Sequence, residues 1–180
     1  MKSTHTLNQW RLAALLPLAL LASACTTLEH SATPTALDRQ ASWAILPITN
    51  QSDTPQAGLR LESLLDSQLR SKGIQSLQRY PAEPSAELLL DPREVKAREQ
   101  AMQWAKDQGI RYGITGAVNE WRYKTGVDGE PAVGFTLQII QLSDGKVVYS
   151  ASGARTGWSR EALSGVAQKL SSDMLNGAGL

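Results

Sequence analysis

The stretch AVGFTLQIIQLSDGKVVYSASGAR, Ala132–Arg155, decides the architecture. Val133, Phe135, Leu137 and Ile139 fall on alternate positions, as they do in a strand with one buried face. SDGK, Ser143–Lys146, is a tight turn, and VVYSASGAR beyond it is a second β-pattern. Upstream lies IRYGITGAVNEWRYK, Ile110–Lys124, where Tyr112, Ile114, Gly116 and Val118 alternate with Thr115, Ala117 and Asn119. Three strands in succession, joined by TGVDGEP and SDGK, predict an antiparallel meander.

SWAILPI, Ser42–Ile48, is a nearly continuous apolar run, the pattern of a strand buried on both faces. A helix is predicted from about Ala57 to Lys72, with Leu61, Leu64, Leu65 and Leu69 on one side and Gly73 as its stop. IQSLQRY reads as a further strand, and PAEPSAELL as a proline-broken loop. DPREVKAREQAMQWAKDQG carries a second helix: Asp91 as N-cap, Pro92 in the first position, Glu94 at capping-box spacing and Gly109 at the end. Val95, Met102 and Ala105 mark its buried side. The last helix shows a stripe of Leu163, Val166, Ala167, Leu170 and Met174, with Ser159 as its cap. The order β-α-β-α-β-β-β-α predicts the α/β (α+β) class, a mixed sheet with an antiparallel meander and helices packed on it.

The amino-terminal end carries a different message. MKSTHTLNQWR has two basic residues and no acid, and LAALLPLALLA, Leu12–Ala22, is shorter than the roughly 20 residues of a membrane span. The single cysteine follows in ASAC, which resembles a bacterial lipobox. That likeness implies a signal peptide over residues 1–24, removed before a diacylated Cys25. An ordinary signal peptide with Cys25 as a free thiol is the alternative. Ala22 stands where such boxes more often have Leu, and Thr26 stands where proteins retained at the inner membrane have Asp. The implied address is therefore the outer membrane, periplasmic face, of a Gram-negative envelope. Residues 25–41, rich in Ser, Thr, Ala and Pro, are expected to be a lipidated flexible tether, with one periplasmic domain over residues 42–180.

Removing 24 residues leaves 156, with 16 basic and 17 acidic side chains. No basic excess points to nucleic acid. The one histidine left, His30, lies in the expected tether, so neither a Ser-His-Asp arrangement nor a Cys/His zinc site can be assembled within the domain. The Gly-x-x-Gly of YGITG reads as close packing or a bulge, and no P-loop is present. No enzyme, cofactor or metal is expected; a hydrolase would require an Asp/Glu pair at glycosidase separation.

Two stretches ask for more. In RTGWSREAL, Trp158 sits in a strand-to-helix turn, where it points either into the core or outward, as an interfacial tryptophan does. In NEWRYKTGVDGEP, Glu120, Arg122 and Lys124 alternate with Trp121 and Tyr123, and the turn beyond holds Asp128 and Glu130 with no base after Lys124.

SWAILPITNQSDTPQAG, EWRYKTGVDGEPAVGFTLQII, GKVVYSASGARTGWSREALS and VAQKL, with the lipobox, resemble the PelC family from about Ala41 to Leu175. These are outer-membrane lipoproteins of the Pel exopolysaccharide export machinery. The resemblance implies a fold similar to the periplasmic domain of the curli secretion channel and the amino-terminal domain of TolB. It also implies a dodecameric homo-oligomer ring, lipid contact through acylated Cys25, and a membrane-facing Trp158. An acidic funnel is implied as well; Asp128 and Glu130 are its first candidates, Glu120 and Asp107 the weaker ones. The implied partners are a PelB-like porin and a cationic polysaccharide. TGVDGEP, seven residues and polar, falls short of a transmembrane hairpin with strands of about 9–11 residues, so a separate pore is expected. The alternative from another class is a monomeric lipoprotein chaperone or pilotin that assists porin assembly.

Overall fold

A computed structural model describes residues 26–32, 36–81, 92–126 and 129–180. The leader, Cys25, the Asp91 cap and Asp128 lie outside the described residues, as do the side chains of Glu94 and Val95. The elements are β1 (Thr26–Ala32), β2 (Trp43–Asn50), α1 (Ala57–Ser71), β3 (Leu77–Arg79), α2 (Pro92–Asp107), β4 (Tyr112–Tyr123), β5 (Pro131–Gln141), β6 (Lys146–Thr156) and α3 (Leu163–Gly177). They form a mixed six-stranded sheet in the order β1-β6-β5-β4-β2-β3. β2 pairs in parallel with both β3 and β4, and the other pairs are antiparallel. The expected mixed sheet, meander and packed helices are what the chain forms.

β2 is buried on both faces, as its apolar run requires. Trp43, Ile45 and Ile48 join the larger core beneath α1 and α3. Ala44 and Leu46 face the other way, onto Ala101 and Ala105 of α2. Leu61, Leu65 and Leu69 seat α1, each contributing about 1.5–3 kcal/mol by leaving water; Leu64 is only partly buried. Gly73 ends the helix region at φ 92°, a conformation glycine adopts without a side-chain clash.

Pro47 interrupts β2, because it has no N–H for the ladder, and the register slips between Ile45 and Ile48. Thr115 Oγ1 donates to the Pro47 carbonyl at 2.7 Å. The Ile48 N–H turns instead to Glu62 Oε1 at 3.0 Å. Glu62 is buried, and Arg79 approaches its other oxygen at 2.6 Å. A carboxylate enters the core here because it satisfies a backbone donor and carries its own counter-charge.

Two expectations need correction. The stretch expected to be free tether is in part a strand: Thr26–Ala32 pairs with β6 from Thr26↔Arg155 to Ala32↔Tyr149. Its composition is a weak β-signal, but β6 offers an unpaired edge and Leu28 packs against the core. The last helix starts at Leu163, and its N-cap, Ala162, has no side-chain cap. The Tyr123 hydroxyl accepts the Leu163 N–H at 3.2 Å and takes the role expected of Ser159. The structure adds a feature to β4: alternation carried unbroken past Val118 would put Glu120 in the core. A β-bulge between Val118 and Glu120 switches the parity, so that Trp121 enters the core instead.

Candidate functional site

The antiparallel pairings gather four chain segments at one end of the sheet. Tyr123 pairs with Pro131, Ala132 with Thr156, and Arg155 with Thr26. Trp158 follows directly in the turn between β6 and α3, and its side chain is exposed, at 62 %. Of the two orientations open to it, it takes the outward one.

The turn that presents Trp158 is closed from several sides. The Gly157 N–H donates to the Pro131 carbonyl at 2.8 Å. A Cβ on Gly157 would lie 2.5 Å from Val166 Cγ2 and 2.6 Å from Glu161 Oε2, so a larger residue would push Glu161 out of the turn. The Trp158 carbonyl accepts from the Glu161 N–H at 2.8 Å, and the Trp158 N–H donates to Glu161 Oε2 at 3.4 Å. Lys169 Nζ binds the other carboxylate oxygen. The hydrogen bond from Lys169, assisted by the one from the Trp158 N–H, holds the Glu161 carboxyl below its ordinary pKa. A lowered carboxyl pKa means that the clasp is complete above the usual glutamate range and is lost as pH falls through the lowered value. Acidification is therefore expected to free the Trp158 turn, seen as a shift of its indole N–H resonance while the domain stays folded. Glu161→Gln should show the freed resonance at neutral pH. A resonance that stays fixed under both changes would show that Glu161 does not hold the turn.

The acidic candidates separate in space. Glu120 and Glu130 lie at the same end as Trp158, but each has a basic partner. Arg122 Nε sits 3.0 Å from Glu120 Oε1, and Lys124 Nζ sits 3.6 Å from Glu130 Oε2. Glu120 thus pairs within its own face of β4, and Glu130, in a turn with no base after Lys124, pairs with Lys124 itself. Asp107 closes α2 just before β4 begins, at the opposite end. It is exposed and accepts a hydrogen bond from Gln103 at 2.8 Å. Twelve residues of β4 separate the two ends, about 40 Å at the usual strand rise.

β1 adds a carboxylate that the tether reading hid. The sheet face opposite α1 and α3 runs in cross-strand rows, Thr27–Ala154–Gly134–Glu120 and Glu29–Ser152–Thr136–Ala117. Small side chains leave a shallow hollow of about 350 Å³ over the first row, with Glu29 and Glu120 at its margins. Glu29 is exposed and enters no ion pair among the described residues. The hollow is open and of mixed lining, with neither a nucleophile–base pair nor a metal-holding cluster; among the described residues no group of three or more His, Cys, Asp or Glu side chains could bind a metal ion. No described helix is long and apolar enough to cross a membrane.

No protein-family model matches the chain, and none of the curated proteins does. Solved structures do. A PelC dodecamer from Paraburkholderia phytofirmans is 42% identical, with a TM-score of 0.72 over 86% of this chain and 97% of that one. A substituted form of that protein, also a dodecamer, matches with the same score and identity in a second crystal form. Lipoprotein GNA1162 from Neisseria meningitidis shares the fold at 16% identity and a TM-score of 0.54, over 77% of this chain and 98% of that one. With that identity to the Paraburkholderia protein over nearly its whole length, the chain belongs to the PelC family.

Proposed function

We propose that this chain is a non-enzymatic outer-membrane lipoprotein that assembles into a ring and guides a cationic exopolysaccharide to an export porin of the PelB kind. The observation that carries this reading is the 42% identity to a PelC dodecamer. Acylation at Cys25 holds the ring to the periplasmic face of the outer membrane, with Trp158 at the headgroup layer. Several acyl chains hold firmly where one holds marginally. Around a closed ring each acid recurs in every copy, and fields that are minor on one subunit add.

In this arrangement the Trp158 end faces lipid and the Asp107 end faces away from it. Polymer arriving from the periplasm meets Asp107 first, and meets Glu130 and Asp128 closer to the membrane. Attraction of this kind is screened within a Debye length, about 8 Å at physiological ionic strength.

Two charge-reversed proteins test the reading, Asp107→Lys alone and Asp128→Lys with Glu130→Lys. Native mass spectrometry follows the ring, and polymer is measured outside the cell. We expect rings of unchanged subunit number and, for at least one variant, export reduced by roughly tenfold, the lower end of what field focusing supplies. The variant that fails places the funnel at its own end of the sheet. Unchanged export from both, with rings intact, would remove electrostatic guidance.

A further inference from the structure

We propose that β1 locks the lipid anchor to the sheet, so that the acyl chains on Cys25 and the indole of Trp158 make a two-point contact of fixed geometry with the bilayer. This inference rests on the anchoring reading above and adds to it a rigid orientation.

The geometry comes from the pairing at the start of β1. Thr26, the residue after Cys25, is already paired with Arg155. The Arg155 side chain links the start of the strand to α3: its Nε donates to Thr26 Oγ1 at 2.9 Å, and its Nη1 lies 3.1 Å from Asp173 Oδ2. Two residues on, Leu28 packs against the core. The strand is held to the fold from Thr26 onward, one peptide link after Cys25. Trp158 lies three residues beyond Arg155, in the turn that follows β6. One residue to Cys25, one strand spacing and three residues to Trp158 place the two Cα atoms within about 20 Å. A free tether over residues 25–41 would allow about 55 Å and would let the domain swivel.

The chemistry around that end suits a lipid surface. Trp158 and Tyr123 are its exposed aromatics, the latter at 51 %, and Arg122, Lys124 and Arg160 are exposed beside them. Amphipathic rings settle at headgroup depth, and basic side chains there meet lipid phosphates. Three of the described acids at this end have basic partners, Glu130 in Lys124, Glu120 in Arg122 and Glu161 in Lys169.

The test uses the full-length lipidated protein in vesicles of phosphatidylethanolamine and phosphatidylglycerol with brominated acyl chains. Two proteins are compared, the native one and one with eight Gly/Ser residues inserted between Cys25 and Thr26, which leaves the β1–β6 pairing intact. The Trp158 signal is the fluorescence difference from Trp158→Phe in each background. Both proteins should float with vesicles. Bromine quenching of Trp158 should be strong in the native protein and fall by roughly threefold in the insertion variant, whose linker adds about 16 Å of reach. Equal quenching in the two, or no quenching of Trp158 in native protein that floats, would overturn the rigid contact and leave anchoring intact. Failure of the native protein to float would overturn anchoring itself, and this inference with it.

Discussion

Gly116→Val is expected to cost about 3 kcal/mol or more, the upper end of overpacking penalties, and to lower the melting temperature by roughly 6–12 °C. A Cβ at this position would lie 1.9 Å from the Thr136 carbonyl oxygen and 3.0 Å from its carbon. The obstacle is backbone, so no rotamer change relieves it. β4 has little freedom to withdraw, because Gly116 sits opposite Leu137 of β5 on one side and Ile48 of the bulged β2 on the other. Gly165→Ala is the control. Nothing lies within 4 Å of the added Cβ in the first turn of α3, and helix propensity favours alanine by about 0.5–1 kcal/mol. Thermal unfolding of both variants checks the pair. A Gly116→Val protein that melts with the native one would show that the β4–β5 contact is looser than described.

Gly116 also shows what kind of information the sequence carried. The Gly-x-x-Gly of YGITG was readable as close packing, and both glycines are closely approached, Gly113 by Leu46 and Gly116 by Thr136. The meander was readable because Val133, Phe135, Leu137 and Ile139 keep one parity along β5, the extra residues of both bulges falling on its partners β4 and β6. The double burial of β2 was readable because its run had no polar face to turn outward.

What escaped depended on partners distant in sequence. β1 exists because β6 has an edge to offer, and nothing in TTLEHSA announces that. Glu62 is buried because Pro47 displaces a register and leaves the Ile48 N–H in need of an acceptor, which a helical pattern cannot reveal. The acidic residues were visible as a set but not as two groups at opposite ends of a strand, nor as partners of Arg122 and Lys124. Charge pairing across two residues of a strand or across a turn is settled by side-chain direction, which composition does not record.

Trp121→Ala is expected to cost about 3–5 kcal/mol, while Glu120→Ala changes stability by no more than about 0.5 kcal/mol. The contrast follows from the bulge at Asn119. With unbroken alternation after Val118, Glu120 would occupy the core and Trp121 the open face, and the two effects would exchange places. In the bulged strand Trp121 is 3 % exposed, set opposite Val133, and its carbonyl accepts a hydrogen bond from Thr54 in the loop before α1. Removing the indole opens a cavity against Val118 and Val133, under the strand end from which Tyr123 reaches the amino terminus of α3. Glu120 loses only an exposed pairing with Arg122. Chemical denaturation of the two single variants separates these outcomes. Equal and small losses would show that the parity of β4 is not switched. The damage from Trp121→Ala should also reach Trp158, because Tyr123 and the start of α3 frame the turn that presents it. Loss of the ordered Trp158 signal in a variant that remains folded would place membrane presentation under the control of a bulge more than thirty residues earlier in the chain.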